Sequence, residues 1–148
     1  MSSPDPASAY SIRRATSAGA PALAQLRWDF SPDEIAASGA SFEPFRDDFS
    51  RFLEDAFAGG AWTVWVAEDA GGEIVANMYI QRVGKVPRPG RFGHAWGYVT
   101  NIYVAPAHRN HGLGARLLAA VVSWARAERL EHLALWPSAK AVTFYHRA

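Results

Sequence analysis

The chain of 148 residues contains no cysteine. That absence excludes disulfides, thiolate zinc sites, iron–sulfur clusters and any mechanism that parks an acyl group on a thiol. Net charge is nearly absent as well: 15 Lys and Arg face 14 Asp and Glu, leaving +1. So small a balance gives no global drive toward nucleic acid, and none is expected as a partner. Long apolar runs are missing. None approaches the ~18 residues that span a bilayer, so no membrane association is expected. The opening Met1-Ser2-Ser3-Pro4-Asp5-Pro6 lacks the basic-then-apolar profile of a secretory signal. These absences lead to the expectation of a soluble, cytoplasmic protein.

Apolar material is what the chain has in quantity. It is 49% hydrophobic and 13% aromatic, with six Trp and eight Phe, enough to build a core and to exclude disorder over most of its length. Its size suits one domain. Residues 1–10 read as a loose Pro/Ser/Ala tail, and residues 11–148 as a single domain.

The hydrophobic period then orders the elements. Residues 11–15 suit a short strand. Thr16 or Ser17 is placed to cap a helix through Leu23, Leu26 and Phe30, which Ser31-Pro32 interrupts. Phe42, Phe45, Phe49, Phe52, Leu53, Ala56 and Phe57 recur at three and four, predicting an amphipathic helix over 41–58 that Gly59-Gly60 stops. Residues 62–67 and 73–83 predict a hairpin around Asp69-Ala70-Gly71-Gly72. A Gly/Pro-rich loop covers 84–93. A third β run follows over 96–104, then a long helix over 112–129, a short buried strand over 132–136 and a last helix over 139–147. The alternation gives a fold class of α+β, or α/β in three layers.

Charge is segregated along this plan. Eight of the 14 acids lie between Asp29 and Asp55, whereas residues 74–127 contain none. The acid-free stretch holds Arg82, Lys85, Arg88, Arg91, Arg109, Arg116 and Arg126. It suggests a polyanionic ligand held by the strand–loop–helix segment.

Within that stretch, Val104-Ala105-Pro106-Ala107-His108-Arg109-Asn110-His111-Gly112-Leu113-Gly114-Ala115-Arg116 passes from a strand through a turn into the long helix. Glycines at a helix start leave the unpaired N–H groups accessible, and the positive end of the helix dipole favours an anion. Arg109 and Arg116 add donors suited to phosphate oxygens. A diphosphate on main-chain amides is the expected ligand. No Gly-Lys-Ser/Thr follows, so this is not a P-loop. The third glycine of a dinucleotide fingerprint is replaced by Leu117.

Arg109-x-x-Gly112-x-Gly114, after a strand ending Val104-x-Pro106, resembles the coenzyme A diphosphate loop of the GNAT superfamily of N-acetyltransferases. The likeness covers most of the chain. Ser138-x-x-Ala141-x-x-x-Tyr145 is similar to the family's Asn-x-x-Ala-x-x-x-Tyr signature, with Ser138 in place of Asn. The resemblance implies a mixed, mostly antiparallel central sheet flanked by helices. It also implies that Ala148 precedes one or two C-terminal strands. An edge left open by their loss invites pairing with another chain, so a homodimer is expected.

The resemblance further implies acetyl-CoA as acyl donor, with no metal. Its pantetheine arm would bond the main chain of Asn101, Ile102, Tyr103 and Val104. Its diphosphate would sit on Arg109, Asn110, His111, Gly112, Leu113, Gly114, Ala115 and Arg116, with Ser138 near the arm. Tyr145 would protonate the departing thiolate. A main-chain N–H near Val104 would steady the oxyanion. The acceptor, a small cationic primary amine in preference to a peptide, would enter between the acidic N-terminal helices. Arg27, Trp28 and Glu43 are the residues expected there. The base is open: where some relatives carry a carboxylate, this chain has Tyr98, Val99, Thr100 and Asn101. Glu43, Glu73, His94 or an ordered water remain candidates. The missing carboxylate also leaves a second reading, a non-catalytic acyl-CoA-binding or sensing module.

Overall fold

The computed structural model describes residues 9–91 and 94–135. The predicted last helix, with Ser138 and Tyr145, lies outside the described residues. Within them, five strands form one sheet in chain order: β1 (Ser11–Arg14), β2 (Trp62–Glu68), β3 (Ile74–Gly84), β4 (Ala95–Val104) and β5 (Leu133–Leu135). The first four pair antiparallel, and β5 lies parallel to β4. A parallel pair needs a crossover, which the helix α4 (Leu113–Ala127) supplies. Three helices fill the gap between β1 and β2: α1 (Ala20–Asp29), α2 (Pro32–Ser38) and α3 (Phe42–Gly59). The expected three-layer α+β architecture is therefore present.

Alternation along the strands divides the core between two faces. On one, Val64, Val66 and Tyr79 meet Leu23 of α1 and Leu53 of α3. On the other, Met78, Ile80 and Val99 meet Leu113, Leu117 and Val121 of α4. The stripe of α3 is aromatic: Phe45, Phe49 and Phe52 follow one another at centroid separations of 5.6 and 5.7 Å.

Two expectations change. Ser31-Pro32 does not only interrupt a helix. Pro32 opens α2, a position where its missing N–H costs nothing. Asp33 and Glu34 fall in the first turn, where the helix dipole favours acids. Of the strand expected to be buried over 132–136, Leu133–Leu135 is observed with all three residues half-buried, and Trp136 lies outside the described residues. These three residues pair with Gly97, Tyr98 and Val99 of β4.

Candidate functional site

β4 keeps its bonds to β3 as far as Val104, and the described residues of β5 pair with it as far as Val99. On the β5 side, the main chain of residues 100–104 thus has no neighbouring strand among the described residues. This is the stretch that contains Asn101, Ile102, Tyr103 and Val104.

β4 also bulges here. Asn77 pairs with Tyr103 and Tyr79 with Thr100, so Met78 faces two residues, 101 and 102. Asn101 takes up the excess with a left-handed φ of 51°, a conformation that Asn tolerates better than most residues. Its carbonyl accepts a 2.6 Å hydrogen bond from Asn77 Nδ2.

Beyond Val104 the chain turns through a short 3-10 segment, Pro106–His108, and reaches α4. Asn110 and Gly112 both have positive φ, 67° and 75°. The first bond of α4 runs from the Arg116 N–H to the Gly112 carbonyl at 3.1 Å. Gly112 is the N-cap and offers no side-chain cap. The N–H groups of Leu113, Gly114 and Ala115 therefore have no intrahelical partner. A Cβ built on Gly112 would meet nothing within 4 Å. The mouth of α4 is open and electropositive, a seat for an anion.

Side chains around this seat are already arranged. The Arg109 Nε donates to the Val104 carbonyl at 3.0 Å, and its guanidinium lies 5.7 Å from the centre of the Tyr103 ring. Tyr10, assigned by sequence to the tail, reaches the loop instead. Its hydroxyl lies 2.9 Å from His108 Nδ1 and 2.8 Å from His111 Nδ1.

The basic stretch is less uniform than its sequence suggests. Lys85 Nζ reaches Glu131 at 2.5 Å and Arg88 reaches the same carboxylate at 3.4 Å. Arg82 lies 3.9 Å from Glu128. These acids follow the acid-free window and pair with its cations in space. The Lys85 hydrogen bond chiefly holds the Glu131 carboxyl below its ordinary range, with help from Lys85 and Arg88 charge against some desolvation.

A second recess of about 110 Å³ lies among the N-terminal helices. Arg27, Trp28, Ser31, Glu34, Ile35, Ser38, Ala40 and Phe45 line it. Arg27 and Trp28, expected beside the acceptor, both line this recess. Arg27 donates to the Ser31 hydroxyl, and Trp28 meets Phe42 edge-on at 5.4 Å. Glu43 is exposed in the first turn of α3 and is not among the lining residues. Glu34 of the unforeseen α2 is. Of the other base candidates, Glu73 is exposed in the turn before β3, and His94 is exposed just before β4.

Sequence reasoning passed over Asn77, Tyr79 and Tyr10. The first had a signal: Asn77 stands alone among apolar residues in Ile74-Val75-Ala76-Asn77-Met78-Tyr79-Ile80. Tyr79 is buried, and its hydroxyl has no partner among the described residues. Burial pushes its phenol well above the ordinary range, against the opposing charge of Arg27.

Comparison with known proteins gives this geometry a context. Residues 21–148 match the acetyltransferase (GNAT) family. An aminoglycoside N(6')-acetyltransferase type 1 from Stenotrophomonas maltophilia is 34% identical over 128 residues, covering 86% of this chain and 75% of the relative. An acetyltransferase from Clostridium acetobutylicum, solved with acetyl-CoA, has the same fold with a TM-score of 0.73 and 20% identity, over 93% of this chain and 87% of that one. So does the acetyltransferase AAC(6')-Iy in complex with a bisubstrate analogue, with a TM-score of 0.68 and 17% identity, over 93% and 86%.

Proposed function

Because the chain belongs to the acetyltransferase (GNAT) family, we propose that it transfers the acetyl group of acetyl-CoA directly to the primary amine of a small cationic acceptor. The observation that carries this reading is the uncapped mouth of α4, whose first N–H groups have no intrahelical partner. The β4 main chain of residues 100–104, with no neighbouring strand on its β5 side among the described residues, runs toward it. An extended amide-bearing arm ending in a diphosphate matches both halves of that surface.

Acetyl-CoA brings a thioester whose carbonyl carbon takes the nitrogen of the neutral amine, which gives up one proton to water, and whose sulfur leaves as a thiol. The chain's own groups have three tasks. The main chain of residues 101–104 holds the arm by strand-like bonding. The N–H groups at the mouth of α4, those of Leu113, Gly114 and Ala115, hold the diphosphate. Tyr145 is assigned, by its match to the family signature, to give the leaving sulfur its proton; a phenol with a reference pKa of about 10 carries that proton at neutral pH. With no cysteine in the sequence, no thiol of the chain carries the acetyl group.

For the acceptor, the aminoglycoside acetyltransferase relative supports a cationic amine. The recess between α1, α2 and α3 supplies Glu34 as a counter-charge and Trp28 as an aromatic wall. Thiol release from acetyl-CoA across a panel of amines tests the reading. Turnover is expected with polycationic sugars or polyamines and not with uncharged amines. Binding of acetyl-CoA without turnover on any amine would instead make the chain an acyl-CoA sensor. Tyr145→Phe is expected to lower kcat while leaving acetyl-CoA affinity in place.

A further inference from the structure

We propose that Asn77, buried in β3, is a positioning residue that aims the Ile102 N–H of β4 away from β3, toward the side assigned to the acyl donor, and so sets the transfer rate without touching either substrate. The proposal rests on the acetyl-transfer reading above and deepens it.

Asn77 is only 3% exposed, in a run from Val75 to Ile80 that is otherwise apolar apart from the Tyr79 hydroxyl. Its Oδ1 is buried and has no hydrogen-bond partner among the described residues. A leucine there would remove the unsatisfied Oδ1 and would also strip the Asn101 carbonyl of its donor, so the two stability effects oppose each other and the use of the asparagine lies in that one bond. Its Nδ2 donates the 2.6 Å bond to the Asn101 carbonyl.

That bond fixes a direction. No peptide bond in the described chain is cis. In a trans peptide the carbonyl and the following N–H point opposite ways. Asn77 belongs to β3, so drawing the Asn101 oxygen toward it turns the Ile102 N–H away from β3. Away from β3 is the side on which residues 100–104 have no neighbouring strand among the described residues. The donor therefore faces the side assigned to the pantetheine arm. The conformation is not self-sustaining: Asn101 sits at φ 51° in a bulge, where an unheld peptide is free to rotate. A main-chain donor fixed beforehand toward developing negative charge accelerates acyl transfer because nothing must reorganise during the reaction.

The test uses Asn77→Leu, which removes both polar atoms, and Asn77→Asp, which keeps the shape and replaces the donor by a carboxylate. In Asn77→Leu, kcat is expected to fall about 100-fold, the scale of losing one oxyanion donor. The acetyl-CoA KM should scarcely change, and the melting temperature should move little, because removal of the unpaired Oδ1 offsets loss of the bond to Asn101. The backbone amide resonance of Ile102 reports the peptide itself: it should shift in both variants without ligand, and its response to added CoA should be lost. Near-wild-type kcat in both variants, or an unmoved Ile102 resonance, would overturn the proposal. So would a fall in melting temperature matched by an equal loss of cofactor binding. If the wild type transfers to no amine, the acetyltransferase reading fails, and the Ile102 resonance still decides the role of Asn77.

Discussion

Phe30, just past the end of α1, meets the Tyr103 ring of β4 edge-on with centroids 5.4 Å apart. The Arg27 guanidinium lies over Phe30 at 5.5 Å, and the Arg109 guanidinium over Tyr103 at 5.7 Å. A cation, two aromatic rings and a second cation thus run from the recess among the N-terminal helices to the loop before α4. Phe30 is 40% exposed, so its place is held by these contacts rather than by the core.

Phe30→Ala removes the middle of that row. The lost aromatic contact corresponds to up to about a tenfold weakening. The acceptor KM is expected to rise by that factor with acetyl-CoA KM little altered. Initial rates with both substrates varied provide the check, and an equal rise in both constants would refute the assignment of Phe30 to the acceptor side.

Gly112 separates backbone strain from occlusion. Its φ of 75° disfavours any Cβ, yet the space around that Cβ is empty. Gly112→Ala should cost about 1 kcal/mol of stability and weaken CoA binding modestly. Gly112→Glu should abolish binding while the fold survives, because the carboxylate enters an anion seat. Calorimetry with CoA, alongside thermal melts, distinguishes the two effects. Unchanged affinity in Gly112→Glu would count against the diphosphate assignment.

Acid should loosen the β3–β4 loop. Glu131 is held below its ordinary value of 4.5, first by the Lys85 hydrogen bond. A carboxyl with a depressed folded pKa contributes stability above its unfolded pKa and loses it as pH falls through the folded value. The contribution is therefore intact at neutral pH and disappears as the solution is taken below about 4.5. The melting temperature of Glu131→Gln should decline less over that range than that of the wild type. Parallel declines would mean that the Lys85–Glu131–Arg88 cluster adds nothing.

Tyr79 is expected to behave oppositely to Asn77. Both are buried polar residues of β3, but the Tyr79 hydroxyl bonds to nothing among the described residues. Tyr79→Phe removes an unsatisfied group and should raise stability by about 1 kcal/mol with kcat unchanged. Denaturant melts and steady-state rates together test this. Lost activity would assign the hydroxyl a chemical role.

The elements were legible in the sequence wherever one physical signal dominated. The three- and four-residue spacing of Phe42, Phe45, Phe49 and Phe52 specifies α3, and Gly60 in a left-handed conformation ends it. The loop from Val104 to Gly112 was readable because glycine at a helix mouth both permits the left-handed turn and bares the first N–H groups. α2 was not, because its seven residues are too few for a hydrophobic period and Pro32 signals a break as readily as a start. The pairing of Lys85 and Arg88 with Glu131 required knowledge of which strands lie side by side.

The Tyr10 hydroxyl touches Nδ1 of both His108 and His111, yet a phenol owns a single hydrogen. When both imidazoles are neutral, one Nδ1 receives that hydrogen and the other must carry its own and give it to the phenolic oxygen. Two histidines three positions apart are therefore locked in opposite tautomers. Their outer nitrogens differ accordingly: one bears a proton and the other a lone pair. The two flanks of Arg109 thus offer unlike chemistry from like residues.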